Sequence, residues 1–349
     1  MKIALITDTH WGARNDSLIF YDYMMKFYDN IFFKELESRD IKTIIHLGDV
    51  VDRRKFINFN ILHNFKNNFL KRLMDMEIDT HIIIGNHDTY FMNSNKVNAM
   101  ESLIDVDNPL SPKIYSSIDT VNFDGLDICL CPWINDDNYD ESISHLNDTN
   151  STVVFGHLEI SGFLMNSGIR CLEGIKKSIF SRFEKVYSGH FHHKSTEDNI
   201  TYLGNPYELT WSDYKDDRGF HIFDTDTLEL EFIKNTYTIF EKIFYDEDTV
   251  DDFDFSYYNG KFIKIIVNKK TDVYKFDLFV DTLYKNDVID INIIDETMIH
   301  GVGIDDKVSI DDDTMSLVYT YIDGTTVDVD KDKLKNIIND VYMDVLREI

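Results

Sequence analysis

The chain has 349 residues, enough for two or three domains with a large core, and 43% of them are hydrophobic. No apolar run is long enough to span a bilayer, and early charges in the first residues lead us to expect no signal peptide. The net charge of −28 disfavours a free-standing nucleic-acid binder, unless a partner or bound metal ions supply positive potential. Cys129, Cys131 and Cys171 form no disulfide or zinc pattern, which fits a reducing cytoplasm.

Apolar periodicity predicts strands and helices in the order of an α/β protein. The predicted elements are strand 2–7, helix 17–38, strand 43–47, helix 58–76, strand 82–84, helix 96–103 and strands 120–123, 127–132, 152–155, 185–188 and 218–224. Residues 262–267, 273–284 and 289–294 predict a small strand–helix–strand unit. The last residues predict an amphipathic helix whose apolar stripe is Leu334, Ile337, Ile338, Val341, Val345 and Ile349.

Five of the predicted strands end in polar residues that can bind metals. These residues are Asp8 and His10, Asp49, Asn86 with His87, His157, and His190 with His192. Ligands of open α/β sheets collect beyond the carboxyl ends of the strands, and these groups suit manganese, iron or zinc. The two oxygens of Asp49 can bridge two ions, and ions roughly 3.5–4 Å apart can hold a phosphoryl group for in-line displacement.

Each of these pieces has an ordinary explanation when it is taken alone. An Asp-x-His pair is common, Gly-Asp is a frequent turn, and a single histidine such as His157 is usually a surface or hydrogen-bonded residue. The complete ordered set at successive strand ends favours a dinuclear site. The other histidines show no such context and receive no function: His46, His63, His81, His145, His193, His221 and His300.

The strand-end motifs resemble the signature of the calcineurin-like metallophosphoesterases. They are residues 8–12 (Asp-Thr-His-Trp-Gly), 48–52 (Gly-Asp-Val-Val-Asp), 85–88 (Gly-Asn-His-Asp), 156–157 (Gly-His) and 189–192 (Gly-His-Phe-His). Within this family the chain is most similar to the SbcD-type nuclease subunits of DNA double-strand-break repair nuclease–ATPase complexes. Residues 202–206 and 218–220 resemble that subfamily, and the length, acidity and composition resemble its T-even-type phage members.

The resemblance implies an α/β fold: a two-sheet metallophosphoesterase sandwich flanked by helices, with a small α/β capping domain and a C-terminal helical segment. We expect a nuclease domain over residues 1–225, a DNA-contacting capping domain over 226–305, and a linker with an ATPase-binding helix over 306–349. The helices at 58–76 and 96–103 are expected to form a homodimer, and hence a heterotetramer with an SbcC-type coiled-coil ABC ATPase. The implied location is the cytoplasm, that of the bacterial host for a phage protein, with no membrane partner.

The resemblance also implies two divalent ions, Mn²⁺ or alternatively Mg²⁺. One ion would be held by Asp8, His10, Asp49 and His192, and the other by Asp49, Asn86, His157 and His190. His87 would not be a ligand but would act as a general acid or transition-state stabiliser. Asp88 would either orient His87 or make a capping turn. Asp52 occupies the position at which many members carry a second active-site histidine, and its role stays open.

The implied activity is exonuclease and endonuclease cleavage of DNA in recombination and double-strand-break processing. Arg53, Arg54 and Lys55 would contact the DNA backbone, or simply begin a solvated helix. One alternative is a protein phosphatase, because residues 48–53 resemble the phosphatase motif. Against it, an extra residue precedes Gly12, and Asp88 replaces a glutamate. A second alternative, a non-catalytic architectural subunit, would be expected to have lost metal ligands.

Overall fold

The computed structural model describes residues 1–105, 108–166, 169–248, 250 and 253–295, with six helical positions beyond them: 318, 322, 331, 334, 335 and 338. The chain divides into two compact units. The first comprises Met1–Leu209 and Lys215–Tyr237, and the second comprises Thr210–Tyr214 and Thr238–Ile349. Among the described residues, we find no helix that combines the length and apolarity needed to cross a bilayer.

Strands dominate both units. They are β1 (Lys2–Ile6), β2 (Thr43–His46), β3 (Asp79–Ile83), β4 (Thr89–Phe91), β5 (Ser94–Asn98), β6 (Lys113–Tyr115), β7 (Asp119–Phe123), β8 (Leu126–Cys131), β9 (Val153–His157), β10 (Leu164–Asn166), β11 (Ile169–Arg170), β12 (Lys185–Gly189), β13 (Ser195–Glu197), β14 (Ile200–Tyr202), β15 (Gly219–Asp224), β16 (Leu230–Lys234), β17 (Phe240–Asp246), β18 (Phe262–Lys269) and β19 (Asp290–Asp295).

The helices include two long ones with a π-helical middle segment. Helix α1 runs through Leu18–Phe27, Tyr28–Phe32 and Phe33–Ser38, and α2 runs through Phe59–Asn64, Phe65–Leu70 and Lys71–Asp75. The others are α3 (Ala99–Leu103), α4 (Tyr139–Asp148) and α5 (Val273–Lys285), with 3₁₀ turns at Lys177–Phe180, Trp211–Asp213 and Phe255–Tyr258. The Asn58 side chain accepts a hydrogen bond from the Asn60 amide at 2.8 Å and so caps the start of α2.

Two six-stranded sheets form the first unit, as the resemblance predicts. The first has the order β16-β15-β1-β2-β3-β6, in which β1, β2, β3 and β6 are parallel. The second has the order β13-β14-β12-β9-β8-β7, in which β14, β12, β9 and β8 are parallel. The carboxyl ends of the parallel strands therefore lie along one edge of each sheet, where loops can converge.

The two sheets pack face to face through one buried apolar cluster. Leu5 and Ile45 come from the first sheet, and Leu130 and Phe155 come from the second. All four side chains are fully buried. Because side chains alternate along a strand, these residues face the partner sheet while their neighbours face the flanking helices. Truncating Phe155 to alanine would cost about 3–5 kcal/mol of stability.

Aromatic side chains of α1 and α2 cover the outer face of the first sheet. The Phe32 ring meets Phe220 of β15 edge to face at 4.9 Å, and Tyr28 meets Phe69 at 5.2 Å. Tyr28 also stacks on Trp11 at 5.5 Å. Trp11 lies in the loop that follows β1, so this aromatic layer fixes the loop that carries Asp8 and His10.

The predicted helix at 96–103 is wrong in its first turn. Residues Ser94–Asn98 form β5, which pairs with β4 in an antiparallel hairpin. The helix begins only at Ala99, because Asn98 is its cap and accepts a hydrogen bond from the Glu101 amide at 2.9 Å. The cap position, and not the apolar spacing, therefore decides where α3 starts.

The second unit contains a parallel sheet, β17-β18-β19, with α5 as the crossover between β18 and β19. Ile243, Ile265 and Leu283 lie in its buried core. The predicted strand–helix–strand unit is thus present, with β17 as an additional strand. Leu334 and Ile338 of the predicted C-terminal stripe are helical, whereas Ile337, Val341, Val345 and Ile349 lie outside the described residues.

Candidate metal centre

The loops after five parallel strands converge at the carboxyl edges of the two sheets. Asp8 and His10 follow β1, Asp49 follows β2, Asn86 follows β3, His157 ends β9, and His190 with His192 follows β12. All seven residues that the sequence analysis selects as ligands are brought together there. The ligand atoms of the six aspartates and histidines among them fall into groups within 4.8 Å, and a further group of His10, Asp49 and His87 links the two sets.

The first group consists of Asp8, His10 and His192. The Nε2 atoms of His10 and His192 are 3.0 Å apart, and His192 Nε2 lies 4.0 Å from Asp8 Oδ1. Thr7 donates from its hydroxyl to Asp8 Oδ2 at 2.8 Å, and the His190 amide donates to Asp8 Oδ1 at 3.1 Å. These bonds fix the Asp8 carboxylate so that it faces the two imidazoles.

The second group consists of Asp49, His157 and His190, with Asn86 between the two rings. The Asn86 Oδ1 atom lies 2.9 Å from His157 Nε2 and 2.9 Å from His190 Nδ1. His157 Nδ1 donates to the Leu47 main-chain oxygen at 2.8 Å, which leaves its Nε2 facing the site.

Asp49 lies between the two groups. Its Oδ2 is 3.3 Å from His157 Nε2 and 3.8 Å from His10 Nε2, while its Oδ1 accepts the His87 amide at 2.8 Å. The side chain is 2% exposed. One carboxylate oxygen thus faces ligand atoms of both groups, which is the position that a bridging residue requires.

The donor set fits two divalent cations. Carboxylates, imidazoles and one amide oxygen surround the site. None of the contacts described above involves a lysine or an arginine. The His10 Nδ1 atom is buried and makes no hydrogen bond within the described part of the chain. The 3.0 Å separation of His10 Nε2 and His192 Nε2 allows one cation to accept a lone pair from each ring.

Four of these residues adopt left-handed backbone conformations that side chains rarely take. The φ angles are 51° at Asp8, 42° at His10, 54° at Asp49 and 88° at His190. Such a conformation costs of the order of 1–3 kcal/mol per residue and persists where the surrounding structure enforces it. The strain turns the side chains at the strand ends toward a common centre.

Two glycines permit the loops to approach so closely. A Cβ atom at Gly189 would lie 2.0 Å from Thr7 Oγ1, and one at Gly85 would lie 2.2 Å from the Asp49 amide nitrogen. Either contact would push apart the loops that carry Asp8 and Asp49. The glycines that precede His190 and Asn86 in the motifs are therefore required by the close approach of the loops.

Burial and mutual charge set the protonation of the centre. Burial raises the pKa of Asp8, and burial lowers the pKa of His10 and His190 well below the usual range, so both rings are neutral. Burial opposes charge on His157, but the Asp49 carboxylate outweighs it and raises the His157 pKa to about 9. The same pairing holds the pKa of Asp49 well below its usual range, although burial acts against it.

His87 lies at the side of the centre. Its Nδ1 is 2.6 Å from the Asp52 main-chain oxygen, so Nδ1 carries the proton and Nε2 is the free nitrogen. The ring meets the His10 ring edge to face at 4.9 Å, and His87 also has a ligand atom within 4.8 Å of those of His10 and Asp49. Because Nδ1 is engaged in this way, Nε2 is the ring nitrogen that remains for proton transfer.

The Asp88 carboxylate caps backbone amides. It accepts from Gly85 at 2.9 Å, Val50 at 2.9 Å and Val51 at 3.1 Å. Two roles were open for Asp88, orienting His87 or making a capping turn, and these bonds are those of a capping turn. They join the loops that follow β2 and β3. Burial, followed by the charge of Asp49, raises the Asp88 pKa to about 7.

The remaining predicted residues lie beside the centre. The Asp52 carboxylate is 3.5 Å from His10 Nδ1, and burial raises its pKa. Arg53 forms an ion pair with Asp16, and its guanidinium lies over the Phe56 ring at 4.6 Å. Arg54 is half-buried.

Two contributors escape the sequence analysis. The Trp133 ring, after β8, packs against the His190 ring at 5.1 Å, and a Pro-Trp pair at a strand end is its only sequence signal. His46, which received no function, accepts the Gly48 amide at Nδ1 and bonds the Thr9 hydroxyl through Nε2 at 2.9 Å. Burial lowers the His46 pKa to about 3, so this histidine is a neutral connector of two loops.

Comparisons with known proteins agree with this geometry. Residues 1–267 match the family model of the calcineurin-like phosphoesterases, and the chain belongs to this family. It is accordingly a metal-dependent phosphoesterase. Exonuclease subunit 1 of Enterobacteria phage T4 is 32% identical over 281 residues, which cover 80% of this chain and 81% of that protein.

Solved structures show weaker likeness. An archaeal phosphodiesterase is 16% identical with a TM-score of 0.35, covering 67% of this chain and all of that one. A protein of unknown function from Aquifex aeolicus is 20% identical with a TM-score of 0.25, covering 45% of this chain and 80% of that one. The family assignment therefore depends on the two sequence matches.

Proposed function

We propose that this phosphoesterase is a nuclease that hydrolyses DNA phosphodiester bonds with two Mn²⁺ ions, or with Mg²⁺ in their place. The observation that carries the proposal is the convergence of seven N- and O-donor residues from five strand ends around Asp49. Two-metal centres of this kind suit in-line displacement at phosphorus.

Each ion has a distinct set of proposed ligands. Asp8, His10, Asp49 and His192 would hold one ion, and Asp49, Asn86, His157 and His190 would hold the other. Bound there, the ions supply Lewis-acid charge for the phosphoryl oxygens and lower the pKa of water to near neutrality. The buried Asp8 and Asp49 carboxylates balance that charge.

His87 is the proposed general acid. Its Nδ1 donates to the Asp52 main-chain oxygen, which orients the ring. Nε2 can then carry a second proton and deliver it to the leaving oxygen as the P–O bond breaks. Trp133 packs on His190 and keeps that ring in place.

The relative supports DNA as the substrate and the presence of a partner, because it is named an exonuclease subunit. We infer that the chain acts with a coiled-coil ABC ATPase in recombination and double-strand-break processing in the host cytoplasm. A partner would also offset the net charge of −28. Within the chain, residues 1–225 would form the nuclease domain, 226–305 would cap the DNA, and 306–349 would bind the ATPase.

Residues beside the centre also have proposed roles. Arg53 and Arg54 would contact the DNA backbone, and the helices α2 and α3 would form a homodimer. Asp52 and Asp88 would support His10 and the two connected loops. The retention of every ligand argues against a purely architectural subunit.

The test compares three substrates with Mn²⁺: DNA, a phosphopeptide, and the small diester bis(p-nitrophenyl) phosphate. Asp49→Asn serves as the inactive reference, and Asp40→Asn, an exposed carboxylate, serves as the matched control. The nuclease proposal is supported if the wild type and Asp40→Asn cleave DNA and Asp49→Asn does not. Phosphate release from the peptide without DNA cleavage would assign a phosphatase, and inactivity on all three would assign an architectural role.

A further inference from the structure

A β-hairpin leaves the metal centre directly after His87 and Asp88. Strands β4 and β5 form this hairpin, and Met92 and Asn93 make its turn. Tyr90 follows His87 by three residues, so at most about 10 Å of chain separates the two. Tyr90, in the first strand of this hairpin, therefore lies near the proposed general acid.

Three consecutive residues in β4 and the turn of this hairpin are apolar and exposed. Tyr90, Phe91 and Met92 expose 43%, 50% and 51% of their surfaces, and we call them the apolar tip. The rings of Tyr90 and Phe91 meet edge to face at 4.7 Å. The pairing of β4 with β5 is irregular between Thr89 and Phe91, and the contact between the two rings joins them into one aromatic surface.

The base of the hairpin is fixed by buried polar contacts. Asn95 donates from Nδ2 to the main-chain oxygens of Trp133 at 2.8 Å and Ser116 at 3.1 Å. Its Oδ1 accepts from Asn135 at 2.8 Å. Because Trp133 packs on His190, the hairpin is attached to loops on both sides of the metal centre. The tip is thus anchored relative to that centre.

The charge of the chain decides what such a tip can recognise. A protein of net charge −28 presents little overall positive potential to the phosphate backbone. Stacking of bases on aromatic rings does not depend on charge and tolerates any sequence. Two bare aromatic rings next to a phosphodiesterase centre are suited to an unpaired base, since a paired base is already stacked within the duplex.

We propose that the apolar tip stacks against unpaired bases of the strand whose phosphate is cleaved. The inference rests on the proposed nuclease function and adds a substrate preference to it. DNA ends and single-stranded segments with free bases beside the scissile bond are bound more tightly than continuous duplex. Tyr90 and Phe91 are therefore specificity-determining residues.

The experiment uses the Tyr90→Ala/Phe91→Ala double variant and the full chain. Leu110→Ala is the matched control, because Leu110 is 57% exposed and precedes β6. It therefore lies at the amino end of a parallel strand, whereas the metal centre lies at the carboxyl ends. Substrates are a single-stranded oligonucleotide, a blunt duplex and bis(p-nitrophenyl) phosphate. We expect the double variant to raise KM for single strands about tenfold. Activity on the small diester should not change in either variant, and Tyr90→Phe should retain the wild-type KM.

A second measurement tests the stacking itself. A 2-aminopurine base in the single strand should lose fluorescence on binding to the wild type and keep it with the double variant. An unchanged KM with unchanged quenching would overturn the inference and leave the nuclease proposal intact. A double variant that turns a dimer into a monomer would show that the tip contacts a second copy, which also overturns it. If the wild type cleaves no DNA, both proposals fail.

Discussion

His87 is oriented by the backbone of Asp52: the Nδ1 atom lies 2.6 Å from the Asp52 main-chain oxygen. A main-chain acceptor is available whatever side chain occupies position 52. The aspartate at this position, where many family members carry a histidine, therefore does not disturb the ring of His87. Its carboxylate instead lies 3.5 Å from Nδ1 of His10.

We expect His87→Ser to lower kcat on DNA by about 10²–10⁴-fold, because the proton donor is lost while every proposed metal ligand remains. Steady-state cleavage assays give the rate, and elemental analysis gives the metal content per chain. His63→Ser, an exposed histidine of α2, is the control and should behave as wild type. Loss of a metal ion from His87→Ser would reassign His87 as a ligand.

Asp52→Asn should be much milder. At saturating Mn²⁺ we expect kcat to stay within about tenfold of the wild type, because the main-chain oxygen that orients His87 is retained. The concentration of Mn²⁺ needed for half-maximal activity should rise by roughly 10-fold, since a group beside the ligand His10 is changed. Titration of activity with Mn²⁺ separates the two effects. A fall in kcat as large as that of His87→Ser would show that the carboxylate itself takes part in proton transfer.

The sequence predicted the residues of the centre better than their connections. Asp8, Asp49 and His190 could be selected because each follows a buried strand whose apolar run stops abruptly. The Val50 and Val51 amides that donate to Asp88 could not be selected, because they lie 38 and 37 positions away and meet Asp88 only in the fold. Trp133 has one short local signal and no periodicity.

The elements missed from the sequence are short or exposed. Strand β4 has one buried residue followed by two exposed ones, and β13 has no buried residue. Neither gives the alternation of apolar and polar positions that predicts a half-buried strand. Strand β16 pairs with β15 in an antiparallel hairpin, and β17 pairs with β18 in parallel; local propensity does not encode either pairing.

Metal binding should release a proton from His157. Its pKa in the metal-free fold is about 9, above the usual 6.5, because Asp49 outweighs the opposing effect of burial. This pairing stabilises the metal-free fold fully below pH 6.5, and the stabilisation is lost as the pH rises toward 9. A metal ion must displace the proton, so we expect apparent affinity to increase with pH up to about 9 and then level.

Calorimetry at pH 7.5 in buffers of different ionisation enthalpy counts the released protons. At least one proton should be released when the ion proposed for the His157 site binds, because His157 is almost fully protonated at that pH. Binding enthalpies that do not depend on the buffer would mean that His157 is neutral before the ion binds, or is not a ligand. The same titration with Asp49→Ala should detect neither ion, and tight retention of one would contradict bridging.

Arg218→Lys should weaken one proposed metal site more than the other. The buried Arg218 donates from Nη1 to the His192 main-chain oxygen and to Asn205 Oδ1, and from Nη2 to Asp216 at 2.7 Å. A lysine keeps the charge but cannot hold three acceptors with one planar group, so the His192 loop loses its fixed position.

The expected result for Arg218→Lys is a roughly 10- to 100-fold weaker affinity for the ion at Asp8, His10 and His192. The ion at Asn86, His157 and His190 should be weakened less, because only His190 shares the loop of His192 and its ring is also held by Trp133. Mn²⁺ titrations followed by electron paramagnetic resonance resolve the two affinities. Arg170→Lys, an exposed arginine paired with Glu197, is the control. Equal weakening of both sites would show that Arg218 supports the fold as a whole, because the loss of the bond to His192 should act first on the ligand set that contains His192.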